Sequence, residues 1–480
     1  MIPVVSLLLL CCCLVTCCFG LSSNVSNNSS TSAVIRKALT GKMILAPLTR
    51  GGNLPFRRLC ADFGMETSMS EMIYARSLLR GDKIEKARLR RARNEHVYGV
   101  QLATNQISEG LEAAKEAEKA GADFVDLNCG CPIHDATRRG LGSSLLRSPK
   151  KLGNLVNGLV SGSNIPVTVK IRLGCEADTV NCCEIVRAIR EAGASAVTIH
   201  GRTAQQGYSN NADWTLIQKA VQDGKDEGFG HIPVIGNGDI LTHYEARRRM
   251  DESSVDSVMV GRGALIKPWI FKEFHENKTW IPNAKERIEV YRTLASYMKD
   301  HFGDDDLGRK RAFRFLPWHF EFLSRYTPHP EEKFGILSRE KSLIHDRVAI
   351  SPDGLSPLEV LLSNQHNDAH NIIASLLWDS NSDANAVQKL SKFAESREFE
   401  EIMLNGGTNK GEDTVLTNLP KGKAGKWGKR KVKNPAPKRS EEEIIKIRAE
   451  RAAKKAKVLA EGGIWPPLKV ITDRQKGKAI

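Results

Sequence analysis

"PVTVKIRLGCEADTVNCCEIVRAIREAGASAVTIHGR", Pro166 to Arg202, contains one complete strand–helix–strand unit. Two β-branched runs, "PVTVKIR" and "AVTIHGR", flank the amphipathic stretch "CCEIVRAIREAGA". Strands read as continuous apolar runs when both of their faces are buried, and a helix between two of them makes a parallel crossover. The helical stretch closes on Gly193, as helices commonly do before a strand. The same rhythm extends outward in both directions. "MILAPL", "TSMSEM", "VYGVQLA" and "FVDLNCG" precede the unit, and "IPVIGNG" and "SVMVGRG" follow it, which makes eight strand-like runs. Eight such units in roughly 230 residues match a (β/α)8 TIM barrel. A doubly wound sheet would want a glycine-rich phosphate turn after its first strand. "APLTRGGNLPF" holds no GxGxxG, so the barrel is the expected fold.

After Pro268 the strand-like runs stop. "NAKERIEVYRTLASYMKDHFG", "GRKRAFRFLPWHFEFLSRY" and "SPLEVLLSNQHNDAHNIIASLLW" read as helices, so a smaller all-helical domain is expected over residues 283–405, behind a barrel over 41–282. Residues 406–480 read as a basic, largely flexible tail with one helix, opened by Ser440 and Glu443 in capping-box spacing.

The chain of 480 residues carries a net charge of +15, and Lys421 to Arg439 hold nine basic residues and no acid. Such a run is either a solvated tail or an attractor of polyanions. Of eleven cysteines, five lie in the first eighteen residues, and the other six are Cys60, Cys129, Cys131, Cys175, Cys182 and Cys183. No CxxC meets a second CxxC or a spaced histidine pair, so no metal site is expected, and the scatter suits reduced thiols. Residues 1–40 contain no acid and join an apolar run, Val4 to Phe19, to a Ser/Asn-rich basic stretch. This reads as a targeting leader, with no stable membrane insertion of the mature protein. A two-part leader would direct the chain to a plastid and a simple signal to the endoplasmic reticulum. A misassigned start would leave it in the cytoplasm or nucleus.

In a barrel of this kind the chemistry sits at the C-terminal ends of the strands. Thr49 and Arg50, Glu71, Gln101, Asn128 with Cys131, Lys170 with Arg172, His200 with Arg202, Asn237 with Asp239, and Arg262 all fall there. The glycines of "GNGDI" and "GRGAL", with Arg262, suit close approach to a phosphate. Lys170 and His200 suit stabilisation of an anionic ring or a polarised carbonyl. Cys129 and Cys131 are too close for an unstrained disulfide. Cys129 suits packing, and Cys131, stopped by Pro132, suits proton transfer at the rim.

The stretches "APLTRGGNLPFRRLC", "YGVQL", "DFVDLNCGCPI", "RRGLGSSLL", "PVTVKIRLG", "VTIHGRTAQQGYSNNADW", "IPVIGNGDI" and "VMVGRGALIKPWIF" together resemble the flavin-dependent tRNA-dihydrouridine synthases, over about residues 43 to 275. "EMIYARSLLRGDKIEKARLRRARNEHVYGVQL" and "GRKRAFRFLPWHFEFLSRY" are most similar to the eukaryotic branch that acts at uridine 47. The resemblance implies FMN as cofactor, NADPH or NADH as reductant, and a uridine of tRNA as substrate. It implies a hydride from reduced flavin to C6 of the uracil and a proton from Cys131 to C5. Pro47, Leu48 and Thr49 then match the first flavin loop. Gln101, Lys170 and His200 match ring and ribityl contacts. Asn237, Gly238, Asp239, Gly261 and Arg262 match the phosphate cradle, and Asn128 and Arg172 match substrate positions. The helical domain would grip tRNA through Arg309, Lys310, Arg311 and Arg314 beside Phe313 and Trp318. Arginines between Arg76 and Arg93 and the tail from Lys421 are further candidates, and the protein is expected to act as a monomer. Two departures stand out: the branch usually carries CCCH zinc fingers before the barrel, and "RRGLGSSLL" replaces a lysine- and glycine-rich version. A flavin barrel acting on a small free pyrimidine, and an inactive RNA-binding barrel, are the alternatives.

Overall fold

The computed structural model describes residues 31–226, 232–345 and 354–405. The tail expected over 406–480 and most of the leader, residues 1–30, lie outside the described residues. Eight parallel strands close into a barrel: β1 (Met43–Leu45), β2 (Thr67–Met69), β3 (Val97–Ala103), β4 (Phe124–Cys129), β5 (Val167–Arg172), β6 (Ala196–His200), β7 (Val234–Asn237) and β8 (Ser257–Val260). Ile44 pairs with Met259 on one side and Thr67 on the other, and Ser68 pairs with Tyr98, so no edge remains. A two-residue piece, Ile73–Tyr74, continues β2 along β3 after a break at Ser70–Met72.

The wall follows from local pattern. The helix Cys182–Glu191 buries Cys182, Ile185, Val186 and Ile189, the i, i+3, i+4, i+7 stripe read from sequence. Each such aliphatic side chain contributes about 1.5–3 kcal/mol on burial. Gly193 and Gly121 follow their helices at φ 81° and 85°, a backbone region glycine enters without penalty. Inside the barrel, Ile44, Ala46, Met69, Phe124, Ala196, Ile235 and Met259 form one apolar cluster. Gly99 makes room for it, since a Cβ there would stand 2.3 Å from the Phe124 ring.

The barrel's apolar cluster also takes in Ile35 and Leu39, which are buried. Residues 31–38 are helical, Ser32 Oγ meets Ser195 Oγ at 2.7 Å, and Leu39 O accepts from Ser257 Oγ at 2.6 Å. The folded body therefore begins before residue 41, the start expected from composition. Two apolar side chains spaced i, i+4 near the end of a leader-like stretch were the available signal.

Beyond the barrel the chain is helical, opening with Ala284–Phe302 behind an Asn283–Glu286 capping box. The expected second helix is broken into Asp306–Ala312 and Leu316–Leu323, with Pro317 in the first turn of the latter. The third is broken between Pro357–Ser363 and Asn367–Trp378, where Asn364 is extended. Barrel and helices belong to one compact unit. They are joined where Arg58 stacks on Tyr297 at 3.7 Å and donates to Asp300, and where the Trp318 ring comes within 3.0 Å of where a Cβ on Gly51 would stand. Among the described residues no helix is long and apolar enough to cross a membrane.

Candidate active site

Because all strands run parallel, their C-terminal ends share one rim, and the candidate residues gather there in three linked groups. The first surrounds Cys131. Asn128, at the end of β4, accepts the backbone N–H groups of Cys131 (3.0 Å) and Gly130 (3.3 Å) on its Oδ1. Its Nδ2 donates to Gln101 Oε1 at 2.8 Å. Ser143 N donates to Cys131 O at 2.9 Å, and this approach needs Gly142, whose Cβ would lie 2.4 Å from that oxygen. Cys131 is thus held at both ends of its peptide. Its thiol is half-buried, and burial pushes its pKa up, against the pull of the Ile133 N–H and the Arg172 and Lys170 charges. A thiol that keeps its proton at neutral pH can donate it, and those same groups stabilise the thiolate left behind. Cys129 is fully buried, with its thiol pushed well up, and suits packing.

The second group centres on Lys170. Its Nζ donates to Asn237 Oδ1 at 3.1 Å, and Asn237 Nδ2 donates to Met259 O at 2.7 Å. Burial and the neighbouring Arg172 lower the Lys170 pKa to about 8, with Asp126 and Cys131 pulling the other way. The ammonium is still charged at neutral pH. Arg172 is buried and donates to Thr203 O at 2.7 Å.

The third group is a buried knot of charge around Asp239. Arg202, with no exposed surface, donates to both Asp239 oxygens at 2.7 Å. Arg262 donates to Asp239 Oδ1 at 2.8 Å, and Ala212 N to Oδ2 at 2.7 Å. His345 Nε2 lies 3.2 Å from Oδ2. Burial alone would raise this carboxyl, but His345, Arg202 and Arg262 outweigh it and hold its pKa at about 2. Arg202 also donates to His200 Nε2 at 3.2 Å. Burial and the Arg172, Lys170, Arg202 and Arg262 charges keep that imidazole neutral. With Nε2 accepting, the proton sits on Nδ1. Gly238, at φ 136°, would put a Cβ 2.5 Å from Ala212, and Gly261 would put one 3.2 Å from Leu48. Leu48 and Pro47 are half-buried in the loop after β1, and Thr49 is exposed. Arg50 N donates to Glu71 at 2.7 Å and ties that loop to the end of β2.

Three contributors escaped the sequence reading. Asp126 was visible as a lone charge inside an apolar strand. Arg202 stood among the strand-end polar residues without a role. His345 had no signal at all, since it lies 143 positions from Arg202 and reaches it through the fold. The residues expected to grip RNA differ in exposure. Lys310, Arg311 and Arg314 are exposed, but Arg309 is paired to Asp379 and Ser375. Phe313 packs on Trp378, and Trp318 is buried against Gly51, so neither aromatic is an open stacking platform.

A closed parallel barrel with a proton-holding thiol, a charged lysine and a glycine–arginine cradle on its C-terminal rim is a TIM-barrel enzyme site. The family model of dihydrouridine synthases matches residues 44–329, and the chain belongs to that family. It is 40% identical over 333 residues to the tRNA-dihydrouridine(47) synthase [NAD(P)(+)] of Coprinopsis cinerea, covering 68% of this chain and 48% of that one. The tRNA-dihydrouridine(47) synthase [NAD(P)(+)]-like protein of Homo sapiens is 36% identical over 336 residues, covering 69% and 49%. The chain spans about half the length of the curated relatives it matches.

Proposed function

We propose that this protein reduces a uridine of tRNA to 5,6-dihydrouridine, with FMN as cofactor and NADPH or NADH as reductant. The observation that carries the reading is the Cys131 loop beside Lys170 and Arg172 on the rim of a dihydrouridine-synthase barrel. The donor set suits FMN: a charged Lys170 and a neutral His200 for the ring, Gln101 with a free N–H, and Gly238, Gly261 and Arg262 for the phosphate. When bound, the flavin supplies the hydride for C6 of the uracil. Cys131 Sγ delivers the proton to C5, and Arg172 and Lys170 stabilise the resulting thiolate until solvent reprotonates it. Asn128 keeps the thiol in place, with one amide N–H left over for a uracil carbonyl. A uracil stacked in folded RNA must leave its stack to reach this rim. Exposed Lys310, Arg311 and Arg314 suit the phosphates around it.

The test is to purify the full-length chain, record its flavin spectrum, and measure dihydrouridine in unmodified tRNA with NADPH. Bound FMN and dihydrouridine are expected. Absence of flavin, or flavin without dihydrouridine, would overturn the reading.

We also propose that the N-terminal segment delivers the chain to an organelle and is cut before Ile35, since processing beyond that point would strip Ile35, and further on Leu39, from the barrel core. Sequencing the mature N-terminus checks this. A cut after Ile35 would refute it.

A further inference from the structure

Asp126 enters the chemistry above only as a charge acting on Lys170, yet its carboxylate lies fully buried beneath the rim. Gln101, Asp126 and Thr168 are direct partners across β3, β4 and β5. Gln101 Nε2 donates to Asp126 Oδ2 at 2.8 Å, and Thr168 Oγ1 donates to Oδ1 at 2.7 Å. Two residues further along the same face of β4 stands Asn128. It donates to Gln101 and accepts from the Cys131 N–H.

Each link decides the next. Burial raises the Asp126 carboxyl to about 6, against the Gln101 and Thr168 hydrogen bonds and the Lys170 charge, so at neutral pH it is ionised and only accepts, and the Gln101 amide must face it nitrogen first. The Gln101 oxygen is thereby turned to Asn128. Asn128 must then offer nitrogen to Gln101 and oxygen to the Cys131 loop. A donor at position 126 would reverse the chain and set an Asn128 N–H against the Cys131 N–H.

We propose that Asp126 is the positioning residue for Cys131, fixing through Gln101 and Asn128 the polarity of a hydrogen-bond chain that ends on the Cys131 peptide. Its catalytic meaning rests on the assignment of Cys131 as proton donor. A carboxylate that merely ties three strands together would leave the thiol untouched when removed.

Three variants of the full-length protein separate these cases. Asp126→Asn keeps the polarity of the chain when its amide oxygen accepts from Gln101 and its amide nitrogen faces the Thr168 hydroxyl, which can accept. Asp126→Leu removes both acceptors. Thr168→Val removes one strand tie and leaves the Gln101 link intact. The first readout is the alkylation rate of Cys131 by iodoacetamide, followed by peptide mass, which needs neither flavin nor tRNA. It should rise about fivefold or more in Asp126→Leu, the scale of one lost buried hydrogen bond. Asp126→Asn and Thr168→Val should stay within about twofold of wild type, well under that scale. The second readout is the solvent deuterium isotope effect on kcat, which should grow in Asp126→Leu and return to the wild-type value in Asp126→Asn. A wild-type alkylation rate in Asp126→Leu, or an equal rise in Thr168→Val, would overturn the proposal. Asp126→Ala gives the same reading should the leucine variant fail to fold. If the wild type makes no dihydrouridine, the functional reading fails while the alkylation result still decides the positioning role.

Discussion

Asp239→Asn should destabilise the barrel at pH 7 by an amount that two features of the structure bracket. The carboxyl ordinarily titrates near 3.8 and is held at about 2 here, chiefly because His345, Arg202 and Arg262 outweigh the cost of burial. With the side chain almost wholly buried, that displacement is worth roughly 2–3 kcal/mol in favour of the ionised form. The sign is that of a depressed carboxyl: the stability is present above the unfolded value and is lost as pH falls towards 2. Orphaning a buried ion-pair partner costs about 3–5 kcal/mol, which sets the upper bound. Arg202 would not be fully orphaned, because Asn210 O and Tyr208 O still accept from it. The expected loss is therefore near 3 kcal/mol, about the lower edge of the range for a broken buried pair. Urea unfolding followed by tryptophan fluorescence measures it, since Trp214 Nε1 donates to Gly238 O beside the substitution. The gap between wild type and variant should close as pH is lowered from about 4 towards 2, where the wild-type carboxyl protonates. A loss below about 0.5 kcal/mol at pH 7, the scale of an ordinary surface change, would refute the argument, as would a gap that widens in acid.

Cys131→Ala should lower tRNA reduction about 10²- to 10⁴-fold, the usual contribution of a general acid, while NADPH is still oxidised. Cys129→Ala, at a buried packing position, should leave the tRNA rate near wild type in the same assay. The rate of tRNA reduction should fall as pH rises through about 8, where Lys170 loses its charge, and Lys170→Met should abolish that limb of the pH–rate profile. Gly238→Ala should weaken FMN binding measured by flavin fluorescence, because φ 136° and Ala212 at 2.5 Å both oppose a Cβ, so the loop carrying Asp239 must shift.

The barrel was legible in the chain because its signals are local. Apolar runs, the i, i+3, i+4, i+7 stripe of Cys182–Glu191 and glycine terminators are set by neighbours in sequence, and parallel strands put all their C-terminal ends on one face. Cys131, Lys170, His200 and Arg262 were legible for the same reason, as polar residues at the ends of those runs. The helical region was harder to divide, since Pro317 and the extended Asn364 break stretches that periodicity alone runs together.

By itself, then, the sequence determined the fold class and which side chains stand on the rim, since both depend on residue order along single elements. Only the tertiary structure decided how those side chains are charged and held. His345 meets Asp239 from outside the barrel, Ile35 and Leu39 fill the core from within the expected leader, and Asp126 reaches Cys131 through two amides on different strands. Hydrogen bonds and charge act over a few ångströms of space, and closing a barrel brings together groups that no spacing along the chain connects.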